Sequence, residues 1–581
     1  MASPIESPIE SSLDSLIPAI LQIGEKGHLE FCWSNDINER IVQFSFQLTR
    51  TKNVSSLKTL SFQATQILID LNAEYADSKI SKDDYIEYIS LFYRMIGHTR
   101  DIIDGKGEYM LSYMLLEIWH KMYPELAKFA FKQFITCTRI HPFGSWKDLK
   151  YLHKYSKENN DCLHDLVSYG IELMNEQLKI DAVSTNPSLA AKWAPRESSQ
   201  FSDLFTVMAT QYFSSYFKTA TTETSKTRAI LKAKTGYRKL ISAINIKLQT
   251  TQIKQCANNW SQIDPEKQTS VTMYRQIKAF LNLKKNGSNR CELEDRILCA
   301  NNFKEYANKA AMNECSVKGK RIGLNDFTRE ALSLISNSNI DGPEAQILNA
   351  QWRNNSTQNG ALGKMIAMID VSGTMMGEPL HAAIALGIRV AEKSILGKRI
   401  LTFSASPRWI NLTQSNNFID MVKIIQDCDW GMNTNFYAAL NLILSTIVSS
   451  KLSPDDVENM VLTVFSDMQI DEYHDKQTGQ METMMAQIEL LYAAAGNKLW
   501  NKPFKPPHIL FWNLRSTSGF PTLSLKKNTS MMSGFSPALL NVFCDNGISA
   551  LHSCTPWSLL SKALNNPRYN MLDREIRRVL L

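Results

Sequence analysis

Hydroxyl and carboxylate side chains follow short apolar runs in the C-terminal half of the chain, at a spacing that suits a metal ion. Oxygen donors of this kind are the ligands of hard divalent cations, and Mg²⁺ typically keeps several waters beside a few protein oxygens. One position in such a shell can take the carboxylate of a partner protein. The pattern predicts a site for Mg²⁺, or another divalent cation such as Mn²⁺. Its candidate residues are Asp370, Ser372, Thr374, Thr434 and Asp467.

The elements that must position these residues are strands and helices in alternation. Continuous apolar runs of strand length, with helical stretches between them, predict a parallel sheet buried on both faces. These runs lie at Met365–Ile369, Ile400–Phe403, Met460–Phe465 and Ile509–Trp512. The order is typical of a doubly wound α/β domain, in which ligands gather at the carboxyl ends of the strands. Asp370 and Asp467 both fall at that edge.

The chain before these strands has the apolar spacing of helices, from about residue 13 to residue 350. No fixed repeat is present, but many amphipathic helices with short connections predict an α-solenoid or an irregular helical ring. The polar, Asn- and Gly-rich stretch 353–363 predicts a linker. The expected organisation is multidomain: a helical-repeat domain at 1–352, the linker at 353–363, the α/β domain at 364–543 and a helical tail at 544–581.

One segment carries the whole positive excess of the chain. The net charge is +7, from 64 Lys and Arg against 57 Asp and Glu. Residues 221–330 hold 21 basic and 10 acidic residues, which leaves −4 for the rest. Clustered cations favour a polyanion, most commonly a nucleic acid, whereas the alternative is a solvated helical face. The candidate nucleic-acid-binding residues, which become candidate RNA contacts through the resemblance given below, are Lys232, Lys234, Arg238, Lys239, Lys247, Lys254, Lys278, Lys284, Lys285 and Arg290.

The composition indicates a folded protein with no membrane-spanning segment. Of the 581 residues, 44% are hydrophobic and 21% are charged, and no apolar run approaches the roughly 20 residues that a bilayer crossing needs. The acidic N-terminus lacks the pattern of a signal peptide. The ten cysteines include no CxxC pair, which is typical of reduced thiols. We therefore expect a cytoplasmic protein that is not secreted.

The five candidate metal residues resemble the metal-ion-dependent adhesion site of von Willebrand factor A domains, which have a Rossmann-type α/β fold. The resemblance implies that Ser372, Thr374 and Thr434 ligate the ion through hydroxyls. It also implies that Asp370 and Asp467 act mainly through water or hydrogen bonds. Thr374 departs from the usual serine and adds a methyl group. In the alternative interpretation, Asp370 and Ser372 only cap the following turn and helix.

A second resemblance concerns the helical half. Tyr237–Leu240, the stretch Cys256–Lys267 and Ser270 are similar to the helical-repeat module of Ro-type (TROVE) ribonucleoproteins, in which a von Willebrand A domain also follows. The resemblance implies a HEAT-like, positively charged ring that binds RNA. The aromatic residues among the cations predict stacking platforms or core positions, and core positions are favoured for Trp260 and Phe280. These aromatic residues are Tyr237, Trp260, Tyr274 and Phe280.

Most of residues 80–580 is more similar still to an uncharacterised family, a domain of unknown function found in plants and giant DNA viruses. This resemblance implies an architecture and no activity, and a viral member would reside in the host cytoplasm or the virion. The motifs that carry it are Gly105-Lys-Gly-Glu108, Ser112-Tyr-Met-Leu115, His141-Pro-Phe-Gly-Ser-Trp146-Lys-Asp148-Leu, Trp193-Ala-Pro195-Arg196, Trp430-Gly-Met-Asn-Thr434 and Phe465-Ser-Asp467-Met468.

These patterns together predict a non-enzymatic, RNA-binding scaffold of the ribonucleoprotein type, whose metal site engages an acidic residue of a protein partner. The alternative is a metal-dependent protein-interaction or assembly module, associated with a viral particle, that binds no nucleic acid. A hydrolase acting on a phosphate is disfavoured, because the motif provides no general base beyond its own aspartates.

Overall fold

The computed structural model describes residues 20–51, 53–137, 140–284, 287–403, 406–428, 435–469, 483–544, 551 and 553–580. The chain is multidomain, with a mostly helical N-terminal region and a C-terminal mixed sheet flanked by helices. It divides into two compact units. The sheet unit comprises described residues of 1–92, 322–340 and 355–566, and the helical unit comprises those of 93–321, 341–354 and 567–581.

The helices are numbered along the chain. They are α1 Ile37–Gln47, α2 Val54–Ala76, α3 Lys82–Arg100, α4 Met110–Met122, α5 Pro124–Ile135, α6 Lys147–Glu158, α7 His164–Val183, α8 Ala190–Trp193, α9 Ser202–Tyr212, α10 Glu223–Lys247, α11 Thr251–Cys256, α12 Ser270–Phe280, α13 Glu294–Ala311, α14 Leu324–Ser336, α15 Pro343–Ser356, α16 Glu378–Lys393, α17 Phe418–Gln426, α18 Phe436–Ser449, α19 Pro454–Glu458, α20 Met484–Trp500, α21 Asn541–Cys544, α22 Pro556–Leu564 and α23 Asn570–Leu580.

The sheet unit contains a six-stranded sheet in the order β5-β4-β3-β6-β7-β8. All neighbouring pairs are parallel except β4 and β5. The strands are β3 Met365–Asp370, β4 Arg399–Phe403, β5 Arg408–Asn411, β6 Val461–Ser466, β7 His508–Asn513 and β8 Thr529–Ser533. Every residue of β6 and β7 is buried, because helices rather than solvent cover a parallel sheet. The four runs predicted as strands therefore form the centre of the sheet.

The N-terminal stretch of the chain belongs to the sheet unit. Strands β1 Leu21–Ile23 and β2 Leu29–Phe31 form an antiparallel hairpin, and Phe31 exchanges two backbone hydrogen bonds of 3.0 Å with Phe520. Helix α1 packs on β8, where Ser533 Oγ donates to the carbonyl of Ser45 at 2.8 Å. The predicted boundaries assume consecutive modules, whereas the compact units combine distant stretches. Those boundaries stay predictions.

The stretch predicted as a linker begins with the last turn of α15 and is partly buried. Arg389, which is fully buried in α16, donates to the side-chain oxygens of Asn355 at 2.9 Å and Asn359 at 2.7 Å. Buried polar groups need such partners. The asparagines that indicated a flexible connection in the sequence are therefore the hydrogen-bond partners of a buried guanidinium.

The helical unit is built around a buried ion pair. Arg100, at the end of α3, donates to Asp148 of α6 through Nε at 2.6 Å and Nη2 at 2.9 Å. Tyr113 of α4 donates its hydroxyl to the same carboxylate at 2.8 Å. A Cβ at Gly144 would lie 2.3 Å from a carboxylate oxygen of Asp148, so only glycine leaves room for the pair. This pair ties three helices together.

Candidate functional site

The two candidate aspartates lie at the carboxyl ends of adjacent parallel strands. Asp370 is the last residue of β3, and Asp467 follows Ser466, the last residue of β6. Both carboxylates are fully buried. The sequence therefore places two acidic side chains at one edge of the sheet, where α/β domains bind ligands.

Asp370 accepts two hydrogen bonds from the protein. Oδ1 accepts from the backbone N–H of Ser372 at 2.9 Å, and Oδ2 accepts from the Ser466 hydroxyl at 2.6 Å. The bond to Ser372 is the turn-capping contact that the alternative interpretation requires. The bond to Ser466 joins β3 to β6 and fixes the carboxylate between them.

Two of the three candidate hydroxyls meet next to this carboxylate. Ser372 Oγ and Thr374 Oγ1 lie 3.0 Å apart and share a hydrogen bond. Ser372 is fully buried, whereas Thr374 is half-buried. Met376, two residues after Thr374, is 70% exposed, so the chain reaches the surface directly after the two hydroxyls. Thr434, the third predicted hydroxyl ligand, lies outside the described residues.

The second aspartate is held by an arginine that the sequence analysis missed. Asp467 Oδ1 accepts from the backbone N–H of Gln469 at 3.1 Å, and Oδ2 accepts from Arg515 Nη1 at 3.1 Å. Arg515 stands just after β7, at the same edge of the sheet. Its position after the fourth apolar run, Ile509–Trp512, is the signal that points to Arg515, since the candidate aspartates follow the first and third runs in the same way.

The charges of Asp370 and Asp467 favour a cation beside them. Burial, followed by the charge of Asp467, raises the pKa of the Asp370 carboxyl to about 7. Two buried carboxylates side by side are costly without a neutralising charge. Arg515 supplies part of this neutralising positive charge, and a divalent cation would supply the rest.

The donor set fits a hard divalent cation, because Asp370, Ser372 and Thr374 at the end of β3 meet Asp467 at the end of β6. Ser372 and Thr374 would hold the ion, with the aspartates behind them. Across the part of the chain that the structure describes, no group of three or more His, Cys, Asp and Glu side chains is placed to hold a metal ion. A cation here would therefore depend on the hydroxyl oxygens.

The basic residues of α10 lie on an exposed face of the helical unit. Lys232, Arg238 and Lys239 are exposed, and Lys234 is half-buried. Glu197 lies 3.2 Å from Arg238 and 3.9 Å from Lys234. This helix therefore presents positive charge that one carboxylate partly neutralises.

Other candidate cations are occupied within the protein. Lys247 Nζ donates to the carbonyl of Ala182 at 2.7 Å, and Lys254 Nζ donates to that of Gln262 at 2.7 Å. Lys278 lies 3.8 Å from Glu344, and Arg290 donates to the carbonyl of Leu283. Lys284 is exposed, and Lys285 lies outside the described residues. The basic segment thus includes several cations that stabilise local structure.

The aromatic residues among the cations belong mainly to the core. Tyr237 is fully buried and donates its hydroxyl to Asn175 at 2.9 Å. Phe280 is fully buried and stacks on Phe303, with ring centroids 4.5 Å apart. Trp260 packs against the same core. The core positions favoured for Phe280 and Trp260 are confirmed.

Comparison with known proteins identifies relatives without an assigned activity. Residues 364–558 match the model of a family described as a domain of unknown function (DUF7788). The chain is also 26% identical over 477 residues to the "Uncharacterized protein L728" of Acanthamoeba polyphaga mimivirus. This match covers 77% of the chain and 75% of the viral protein. The predicted similarity to a domain of unknown function with giant-virus members is confirmed.

Within the described ranges, no helix is both long enough and apolar enough to span a membrane.

Proposed function

We propose that the protein is a non-enzymatic, RNA-binding scaffold of the ribonucleoprotein type. In this proposal a HEAT-like, TROVE-like helical module binds RNA. A von Willebrand A-like domain binds Mg²⁺, or a related ion such as Mn²⁺, which engages an acidic residue of a protein partner. The observation that carries the proposal is the meeting of Asp370, Ser372, Thr374 and Asp467 at one sheet edge. We also propose a cytoplasmic location, in the host cytoplasm or the virion, on the strength of the similarity to a giant-virus protein.

The metal half of the proposal is supported by charge and access. The buried aspartates provide negative charge, and the half-buried residue Thr374 connects them to the surface. A bound divalent cation would supply a coordination position for a carboxylate from outside. The exposed side chain of Met376 would give such a partner an apolar contact beside the ion.

The RNA half is supported by the exposed cations of α10. Lys232 and Lys239 line a shallow groove of about 390 Å³ together with Tyr216. The Lys232 ammonium lies 4.4 Å from the centroid of the Tyr216 ring. Phosphate contacts by such cations supply most of the sequence-independent affinity for nucleic acids.

A binding role is preferred to hydrolysis because both aspartates already accept hydrogen bonds from the protein. Asp370 accepts hydrogen bonds from Ser372 and Ser466, and Asp467 accepts them from Gln469 and Arg515. A general base needs a lone pair directed at the proton it removes. The site therefore supports holding a ligand better than reacting with it.

A filter-retention assay on the full chain tests this function. The probe is an RNA duplex with a single-stranded end, at low and high salt, with and without chelator. We expect retention that falls steeply with salt, is weakened by Lys232→Glu with Lys239→Glu, and is insensitive to chelator and to Asp370→Ala. Reversal of Lys226 and Lys309, which pair with Glu223 and Glu305, is the charge-matched control.

No retention at any salt would overturn the RNA-binding role. The alternative, a metal-dependent assembly module without nucleic acid, would then be favoured. In that case, chelator and Asp370→Ala should remove a partner captured in the presence of Mg²⁺.

A further inference from the structure

A second group of cations converges on Trp193 in the helical unit. The Lys147 ammonium lies 4.1 Å from the Trp193 ring centroid, and those of Lys192 and Lys150 lie 5.5 and 5.6 Å from it. Lys147 and Lys150 lie one turn apart on α6, whereas Lys192 belongs to α8, so two helices supply these lysines. Cation–π attraction holds each ammonium near the ring. Three positive charges are therefore collected around one half-buried aromatic side chain.

Two arginines add to this charge. Burial, followed by the charge of Arg275, lowers the pKa of the Lys147 ammonium to about 8. Burial, followed by the charge of Arg196, lowers the pKa of Lys150. Both arginines are exposed. The cations are thus close enough to repel one another, and an anion placed among them would relieve that repulsion.

The nearby carboxylates are directed elsewhere. Asp148 is adjacent to Lys147, but its two oxygens accept from the buried Arg100. Glu197 follows Arg196 in sequence and lies near Lys234 and Arg238 of α10. The cations around Trp193 therefore differ from Lys226 and Lys309, each of which has an acidic partner on its own helix.

The position of the group links it to the basic face of α10. Helix α8 packs on α10, where Asn245 Nδ2 donates to the carbonyl of Ala191 at 3.1 Å. A solvated helical face would spread its cations along one helix, whereas these come from three separate elements, α6, α8 with the residues after it, and α12. Convergence from distant stretches is typical of a binding site.

We propose that Lys147, Lys150 and Lys192, which surround Trp193, form together with Arg196 and Arg275 a binding site for a phosphate group, and these five residues are here called the Trp193 cluster. The proposal rests on the proposed RNA-binding function, since it names the place where phosphates of a single-stranded RNA bind. Arginine forks and lysine ammonium groups both form charge-assisted hydrogen bonds to phosphate oxygens. The same chemistry would bind inorganic pyrophosphate, which serves as a probe independent of RNA.

The test is a binding titration of the full chain with single-stranded RNA and, separately, with pyrophosphate, both in chelator. The site variant is Lys150→Gln with Arg196→Gln, and the control is Lys226→Gln with Lys309→Gln, which removes the same charge. We expect the site variant to weaken both ligands by about tenfold, and the slope of log affinity for RNA against log salt to fall by about one per lost phosphate contact. The control should leave both affinities unchanged.

The outcomes separate this proposal from the proposed function. If RNA binds the wild-type chain and the site variant equally, the cluster is not a phosphate site, although RNA binding stands. If only pyrophosphate binds and the site variant abolishes this binding, the phosphate site is supported. The proposal that the bound phosphate belongs to RNA is then wrong. If neither probe binds, both proposals fail.

A labelling experiment on the unmodified protein guards against a misfolded variant. Lysine acylation is read by peptide mass spectrometry with and without bound RNA or pyrophosphate. We expect the ligand to protect Lys147, Lys150 and Lys192 and to leave Lys309 reactive. Equal labelling of all four lysines with a saturating ligand would overturn the proposal.

Discussion

At the scale of residues, the candidate metal site depends on the hydrogen bonds of the Asp370 carboxylate and of the two hydroxyls beside it. The two carboxylate oxygens of Asp370 each accept a hydrogen bond, from Ser372 and from Ser466, and these bonds fix the carboxylate between the loop after β3 and the end of β6. The hydroxyls of Ser372 and Thr374 share a hydrogen bond, and of these two residues only Thr374 is partly exposed. The division of roles implied by the resemblance to adhesion sites stays a prediction.

The first prediction concerns this division. Asp370→Asn should weaken Mg²⁺ binding about 10–100-fold, because residues behind a metal ligand contribute that much through orientation and charge. Thr374→Ser, which keeps the hydroxyl, should bind Mg²⁺ within about threefold of the wild type. Isothermal titration with Mg²⁺ alone measures both. Unchanged affinity in Asp370→Asn would contradict a metal site at this edge.

A second prediction concerns the guanidinium on Asp467. Arg515 is 38% exposed and competes with a cation for the charge of that carboxylate. Arg515→Gln should therefore raise Mg²⁺ affinity by about two- to fivefold, the magnitude expected from removing a partly exposed ion pair. The same titration gives the result. A loss of affinity would show instead that Arg515 orients Asp467 for binding.

At the scale of elements, apolar runs predicted β3, β4, β6 and β7 because a strand buried on both faces has few polar positions. Strand β8, Thr-Ser-Met-Met-Ser, escaped prediction because contacts that no local pattern shows satisfy its hydroxyls. Ser530 Oγ, for example, lies 2.8 Å from the His508 ring. Local propensity cannot reveal a partner that is distant in sequence.

Contacts between residues distant in sequence also explain why the basic segment 221–330 could be predicted and the Trp193 cluster could not. The excess charge of 221–330 was visible in the composition, but the Trp193 cluster draws most of its cations from outside that segment. Only the packing of α6, α8 and α12 brings them together. The motifs around Trp146 and Trp193 were recognised as a family resemblance, yet their charge became meaningful only in three dimensions.

The third prediction concerns the ion pair that joins α3, α4 and α6. Asp148→Asn leaves Arg100 buried without its counter-charge and should lower the free energy of unfolding by about 3–5 kcal/mol. Tyr113→Phe removes one hydrogen bond to the same carboxylate and should cost about 1 kcal/mol. Urea denaturation measures both changes. Equal effects of the two substitutions would show that the charge of Asp148 contributes little.

At the scale of the molecule, the fourth prediction concerns pH. Burial, followed by the charge of Lys106, lowers the pKa of His98 to about 3 from an ordinary 6.5. The imidazole is therefore neutral in the folded protein but protonated in the unfolded chain below pH 6.5. The free energy of unfolding should fall by about 1.4 kcal/mol for each pH unit below 6.5, down to about pH 3.

Chemical denaturation between pH 5 and 8 measures this slope. His98→Gln is the comparison, because it cannot take up a proton and should show a flatter pH dependence below pH 6.5. Parallel curves for the wild type and His98→Gln would contradict the assignment to this residue.

The fifth prediction concerns the minimal folded piece of the sheet unit. A fragment of residues 364–558 lacks helix α1, whose Phe46 carbonyl accepts from the buried Asn513 and whose Glu39 accepts from the Ser524 N–H. Leaving such buried groups without partners costs about 1–3 kcal/mol each. The fragment should melt at a lower temperature and less cooperatively than the full chain. Circular dichroism checks this, with residues 20–92 added in trans as the rescue.

The union of β1, β2 and α1 with β7 and β8 also has a consequence for biosynthesis. Residues 20–92 leave the ribosome roughly 440 residues before β8 is complete. At about 5–20 residues per second, that interval lasts roughly 20 to 90 s. During most of this time Phe46 has emerged, while Phe520, whose ring packs against it in the finished protein, does not yet exist. The nascent chain therefore carries this side of α1 uncovered until β7 and β8 are made, which makes residues 20–92 a natural client of a chaperone at the tunnel exit.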